Sequence, residues 1–298
     1  MSGPGRAPLG SVDYLVNAFT PDREPVWRRA IEDAGLAVKV RSDGDDSFAE
    51  ADDFVARMDE LGIQTVLCPT IPPGTAPPPC PVDFPSVAAG WAEVAELCVR
   101  WPGRFGALVC PDPSAGMAGV RSVRACLERP WVVGLYLHTH SWDRRLDHAD
   151  HYPYYALCSE MDVPFVFQAG AAGGLVPSEC GRPIGVDRPA LYFPETRFVA
   201  SHLGWPWVEE ALAMALKFPN VFLGTASYPP RHWPEAVQAF VRGPGRRKVL
   251  FGSNFPTVGH RRALGQVEGL GLPPETVADV LGGTARRVFP RLAGLDAA

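Results

Sequence analysis

The chain has 298 residues, a formal net charge of −5, 46% hydrophobic and 20% charged residues, enough material for one large core of barrel size. The acidic balance argues against a nucleic-acid partner, and the one basic run, Arg246-Arg247-Lys248, reads as a solvated cap before a strand. No apolar stretch approaches the roughly 20 residues that span a bilayer, and no basic segment followed by an apolar core opens the chain, so a soluble, cytoplasmic protein with no membrane partner is expected. The seven cysteines are odd in number and lack close-paired spacing, which fits reduced thiols better than a disulfide framework or a zinc ribbon.

Residues 1–10 are rich in Gly and Pro and read as a flexible arm, leaving 11–298 as a single domain. A first strand over 11–19 is followed by a long connection with a short helix near 26–34. The helix expected over 48–61 carries Phe54, Val55, Met58 and Leu61 at helical spacing. A strand over 65–69, a helix over 87–100, a strand over 105–110, a helix over 115–128 and a strand over 132–138 follow. The alternation continues with helix 154–161, strands 164–170 and 197–203, helix 206–217, strand 221–227, helix 234–241 and strand 248–254. Eight strands is the number that closes a (β/α)8 barrel, and helical material over 261–289 is placed to seal one end. Two Gly/Pro-rich loops, 71–83 and 169–189, leave strand carboxyl ends, where they either roof an active-site mouth or decorate the surface.

Several strands end on a polar residue: Phe165-Val-Phe-Gln168-Ala-Gly170, Phe198-Val-Ala-Ser-His202-Leu-Gly204-Trp-Pro206 and Val249-Leu-Phe-Gly252-Ser-Asn254-Phe-Pro256. Their order and wording, with the closing Leu281-Gly-Gly283-Thr284-Ala-Arg286-Arg287-Val-Phe289, resemble the amidohydrolase superfamily. The likeness is to its amidohydrolase-related branch of aminocarboxymuconate-semialdehyde decarboxylase-like enzymes and metal-independent lactonases. The resemblance implies a (β/α)8 TIM barrel and a metal site held by a His-x-His pair on the first strand, histidines at the fifth and sixth strand ends, and an Asp at the eighth. In this chain Leu15 and Asn17 stand where that pair belongs, Gln168 replaces the fifth-strand His, and Asn254 replaces the Asp. Only His202 survives. The usual metal and any other cofactor are therefore expected to be absent, since amides are poor ligands for zinc or iron and a hard ion wants carboxylates. A rebuilt thiolate-imidazole site from Cys68, Cys110 and His138 or His202 is the alternative, weighed against buried cysteines acting as small hydrophobes.

Within that frame His202, with a pKa near neutrality, is the first candidate for proton transfer, beside the reading as a structural imidazole. His138 and His140 end the fourth strand, and period-two alternation points both rings the same way. Tyr136 shares that face, either as an oxyanion donor or as a filler of a barrel layer. Asn254 lacks an ionisable proton site, so it donates to a ligand or plugs the motif but cannot activate water as an Asp would. Asn17 and Gln168 are candidate substrate contacts, as are Thr225 and Ser227 at the seventh strand end, where no nucleophile elbow surrounds the serine. Arg23, Arg28, Arg182 and Arg231 are candidate carboxylate clamps, each weighed against an ordinary solvent role.

The expectation is an enzyme with His202, His138 and Asn254 in catalytic roles and Asn17, Gln168, Tyr136, His140, Ser227 and Arg23 binding a small carbonyl or carboxylate compound. Its chemistry would be of decarboxylase, cyclase, dehydratase or isomerase type. Two alternatives stay open, a metal-independent lactonase-like hydrolase and a non-catalytic ligand-binding protein. The partner is a small molecule, and the resemblance leaves a homodimer open.

Overall fold

The structure is a computed structural model that describes residues 10–33, 48–75 and 89–296. Most of the expected N-terminal arm, the connection over 34–47, the end of the 71–83 loop with Cys80, and positions 87–88 of the expected helix 87–100 lie outside those residues. Eight parallel strands run in sequence order: β1 Ser11–Asp13, β2 Ile63–Thr70, β3 Phe105–Val109, β4 Val132–Leu137, β5 Phe165–Gln168, β6 Phe198–Ser201, β7 Val221–Gly224 and β8 Val249–Leu250. The ring closes beyond the ends of β1 and β8, where Tyr14 N–H donates to Phe251 O (3.2 Å), Asn254 N–H to Leu15 O (2.9 Å) and Asn17 N–H to Phe255 O (2.9 Å). Val16 and Phe255 form a parallel bridge at the same seam. This is the expected single-domain (β/α)8 barrel.

Most strand positions are apolar because both faces are covered, with Ser11, Asp13, Gln64, Thr65, Thr70, Gln168 and Ser201 as polar exceptions. Alternate residues divide between two clusters. Cys68, Ala107, Val109, Leu135, Leu137, Phe165, Phe167, Phe198, Ala200 and Val249 face the helical shell. Leu67, Leu108, Tyr136, Val166, Val199 and Leu250 fill the barrel. Extending the inner rows by one period toward the carboxyl ends brings Cys110, His138, Gln168 and Ser201 into line with the barrel interior.

The shell helices include α1 Glu24–Asp33, α2 Ala51–Leu61, α3 Trp91–Arg100, α4 Gly116–Leu127, α5 Tyr152–Met161, α6 Asp187–Tyr192, α7 Val208–Lys217 and α8 Glu235–Arg242. The helix α6 begins in the last three residues of the 169–189 stretch read from sequence as loop and runs on to Tyr192. The region 261–289 is not one helix but α9 His260–Glu268, α10 Pro274–Ala278, a π turn and α11 Thr284–Val288, followed by α12 Leu292–Asp296. From these last elements Ala285, Val288, Phe289, Leu292 and Leu295 join the interior cluster and plug the barrel.

One side chain dictates two glycines. The ring of Tyr14 is fully buried and lies across β7 and β8. A Cβ at Gly224 would stand 2.2 Å from its hydroxyl oxygen, and one at Gly252 would stand 2.4 Å from its Cε1. A contact that close cannot be relieved without moving the ring or a strand. Gly224→Ala is therefore expected to cost about 1–3 kcal/mol of stability, as overpacking does, and clearly less when made in a Tyr14→Leu background, where the ring it strikes is gone. Urea unfolding of both variants checks this, and an unchanged Gly224→Ala midpoint would contradict the packing described.

Candidate active site at the barrel mouth

The mouth is built from residues just beyond the strand ends, and its backbone is strained there. His202 (φ 63°), Leu203 (φ 55°), Ser227 (φ 65°) and Asn254 (φ 54°) all adopt left-handed conformations that non-glycine residues avoid. Each such residue costs on the order of 1–3 kcal/mol and persists only where surroundings impose it, a pattern concentrated at functional sites.

The seam between β1 and β8 carries a chain of polar side chains whose direction can be deduced. Asn17 Nδ2 donates to the backbone carbonyl of Phe255 (3.0 Å), which can only accept, so the Asn17 amide has one admissible orientation. The same NH2 group also donates to Asn254 Oδ1 (2.9 Å). Asn254 must then direct its own Nδ2 at Ser227 Oγ, 2.6 Å away. The Ser227 hydroxyl, having accepted, is left with its proton to give. Gln168, on the other side of the barrel, takes the Tyr136 hydroxyl at Oε1 (3.2 Å), which leaves its NH2 as a donor.

Beneath this chain Asp13 anchors the seam. Its Oδ1 accepts from Leu15 N–H (3.1 Å) and from Ser253 N–H (3.0 Å), and its Oδ2 lies 2.9 Å from His260 Nε2. Asp13 and His260 are fully buried, so the pair is structural and out of reach of any ligand. The Tyr14 phenol is likewise sealed. It sits 2.7 Å from Ser201 Oγ and accepts from the backbone N–H groups of Ala226 and His202, while burial pushes its pKa well above the ordinary tyrosine range. Sequence reasoning missed His260 and gave Tyr14 no role; the buried aspartate ahead of the degenerate His-x-His position was the one available signal.

Three imidazoles interact at the mouth. The ring of His138 is hydrogen-bonded through Nδ1 to Ser141 Oγ (2.6 Å), and its centroid lies 5.6 Å from that of His140. The two rings are brought together by the turn Thr139–Ser141 and not by strand alternation, since β4 ends at Leu137. His140 donates Nε2–H to Gly170 O (3.0 Å), and its Nδ1 is buried without a partner. His202 is half-buried, and its Nδ1 too has no hydrogen-bond partner. Burial, then the neighbouring imidazoles, pushes the His138 pKa down from 6.5 to about 3, and burial with His140 pushes His202 down to about 3. Both rings are neutral at physiological pH.

Other candidates fall outside this cluster. Arg23 is ion-paired with Glu93 (2.8 Å), Arg28 with Glu24 (2.6 Å), Arg182 with Glu210, and Arg231 Nε is 2.9 Å from His232 Nε2. Thr225 is buried and accepts the Gly252 N–H (3.1 Å).

The expected metal ligands do not suit a divalent ion. Leu15 is hydrocarbon, and the amide oxygens of Asn254 and Gln168 already accept hydrogen bonds. Only His202 is a ligand of the kind zinc, iron or manganese favours. The rebuilt alternative also lacks its geometry: Cys68 lies within β2 and faces the shell, beside Cys98 and Glu93, while Cys110 and His138 belong to the interior side. Among the described residues no three His, Cys, Asp or Glu side chains are grouped to hold a metal. Cys110 is half-buried and desolvation pushes its thiol up to about 12, away from the thiolate a metal would need.

Comparison with known proteins places the geometry in context. A family model described as amidohydrolase matches residues 82–291. An uncharacterized TIM-barrel protein from Bordetella bronchiseptica superposes with a TM-score of 0.73 at 19% identity, covering 95% of this chain and 99% of that one. The 5-carboxyvanillate decarboxylase of Sphingomonas paucimobilis gives 0.63 at 16% identity, with 95% and 99% covered. A dihydroxybenzoic acid decarboxylase from a Polaromonas species, solved with manganese and the inhibitor 2-nitroresorcinol, gives 0.64 at 17% identity, with 95% and 97% covered. At these identities the structures establish the fold alone. No curated protein matches the chain.

The depressed imidazoles have a consequence for stability. Between about pH 3 and 6.5 the unfolded chain binds protons at His138 and His202 that the folded chain refuses. Their contribution is therefore fully present above pH 6.5 and is lost as pH falls toward 3. Replacing both with asparagine should flatten the slope of unfolding free energy against pH in that window by up to about two protons. Urea titrations at a series of pH values measure it; an identical slope in the double variant would show that these rings are not held neutral by the fold.

Proposed function

The chain belongs to the amidohydrolase family, and we propose that within it the protein is a metal-independent enzyme of decarboxylase type that acts on a small, planar carbonyl or carboxylate compound. The observation that carries this reading is the polarity of the mouth. Gln168 Nε2, the second Nδ2 proton of Asn254 and the Ser227 hydroxyl are donors directed by fixed partners, and among the described residues no carboxylate is bonded to them. A cup of preorganised donors stabilises an oxygen on which negative charge develops.

His202 supplies the proton. Burial keeps its ring neutral, but an anionic substrate placed beside it favours the charged imidazolium, so ligand and proton enter together. The imidazolium then protonates the ring carbon that bears the carboxylate. The carbon–carboxylate bond breaks, its electron pair returns to the ring, carbon dioxide leaves, and the imidazole is neutral again. One proton is consumed and no water is activated. Asn254 stands where an acid would serve as base for water, and an amide has no proton site for that task, so hydrolysis is the weaker reading. His138 is oriented through Ser141 and opposes a charge on His202.

Among the described residues no helix is long and apolar enough to cross a membrane. The six described cysteines are all free thiols, which supports a reducing, cytoplasmic setting.

The test is carbon dioxide release from 2,6-dihydroxybenzoate and from 5-carboxyvanillate, measured with and without a chelator. Turnover that survives the chelator and falls about 10²–10⁴-fold in His202→Ala, with unaltered thermal unfolding, is the expected result. A rate unchanged in His202→Ala would remove His202 from the chemistry. Binding without turnover of these or related ring acids would replace the enzyme by a ligand-binding protein.

A further inference from the structure

The helix α1 occupies the carboxyl side of β1, reached through the turn Pro21–Arg23. Arg23 fastens its start to Glu93 of α3, and Arg28 is occupied with Glu24 on the helix itself. Trp27 and Ala30, three residues apart and so on one face, are 4% and 8% exposed. Together with Phe48 they join the cluster that fills the barrel, the one containing Leu15, Tyr136 and Ala226, and not the cluster of the helical shell. Phe48 in turn packs edge-on to Phe255 of the β1–β8 seam, with centroids 6.2 Å apart. The helix thus packs on the barrel-filling cluster, with Trp27 on its buried face.

The indole of Trp27 is incomplete as it stands. Its Nε1–H is buried and has no acceptor. The other buried tryptophan whose indole bond is defined, Trp233, donates its Nε1–H to Tyr228 O at 2.9 Å. A buried donor without an acceptor costs about 1–3 kcal/mol, which natural folds avoid unless the partner arrives from outside. Nδ1 of His140 and Nδ1 of His202, beyond the ends of β4 and β6, are also buried without partners. An orphaned donor on the buried face of a helix packed against the barrel interior is a place where a ligand can supply the missing acceptor.

We propose that Trp27 is a ligand-binding residue, its indole N–H donating to an oxygen of a planar small molecule held in the barrel mouth and its ring covering one face of that molecule. The proposal rests on the mouth being the substrate site and adds a recognition element that the strand-end motifs do not contain. It also specifies the ligand further: an acceptor oxygen, phenolate, carbonyl or nitro, on the side facing α1, and a flat outline that fits beneath an indole.

The experiment is binding of 2-nitroresorcinol to the full chain, followed by calorimetry and by the indole N–H signals of the ¹⁵N-labelled protein, with Trp27→Phe assigning the Trp27 signal. Phe keeps an aromatic ring and removes the donor together with the pyrrole part of the indole. The expected result is a shifted Trp27 indole signal on binding and a Kd raised about 3- to 10-fold in Trp27→Phe, the range of one neutral hydrogen bond, in a variant that still unfolds cooperatively. Equal Kd values in the two proteins and an unmoved signal, with binding weakened in His202→Ala, would overturn the role of Trp27 and leave the mouth as the site. Failure of the wild-type chain to bind 2-nitroresorcinol and 2,6-dihydroxybenzoate alike would overturn both.

Discussion

The arrangement of the mouth depends on how the last strand meets the first. The strand β8 is only two residues long, so backbone pairing alone gives the closure little strength. Asp13 compensates by accepting one N–H from each side of the seam, that of Leu15 and that of Ser253, while its other oxygen lies 2.9 Å from the buried His260. A carboxylate buried this completely is tolerable only with its lone pairs filled. Because Ser253 is fixed by that bond, Asn254 is fixed next to it. The Phe255 carbonyl then sets the direction of the Asn17 amide, which sets Asn254, which sets Ser227.

This dependence gives the site its chemical character. The amide dipoles of the seam take their orientation from a backbone carbonyl, and the imidazoles of His138 and His202 are kept neutral by burial and by neighbouring imidazoles. The mouth therefore presents directed donors and neutral rings. It also stores strain, in the left-handed backbones of His202, Ser227 and Asn254, and the surrounding packing, including the Tyr14 ring wedged against Gly224 and Gly252, maintains that strain.

How much of this could be read from residues alone follows from the range of each interaction. The barrel was legible because buried parallel strands announce themselves as short apolar runs, and His202, Gln168 and Asn254 because they sit inside local motifs. The phase of a strand was harder: Cys68 looks terminal in a run ending at Pro69, yet β2 continues to Thr70 and the thiol faces the shell. His138 and His140 do come together, but through a turn that no alternation pattern foretells. Asp13 and His260 are 247 positions apart, and Trp27 meets the barrel only because α1 folds back over it. Pairings of that span leave no periodic trace.

The most direct test of this account is the metal content of the chain, purified without an affinity tag or chelator, then incubated with manganese, dialysed and measured by plasma mass spectrometry. A mouth of directed amides and neutral imidazoles predicts far less than one equivalent of manganese, zinc or iron before and after incubation. About one equivalent of any of them would contradict it.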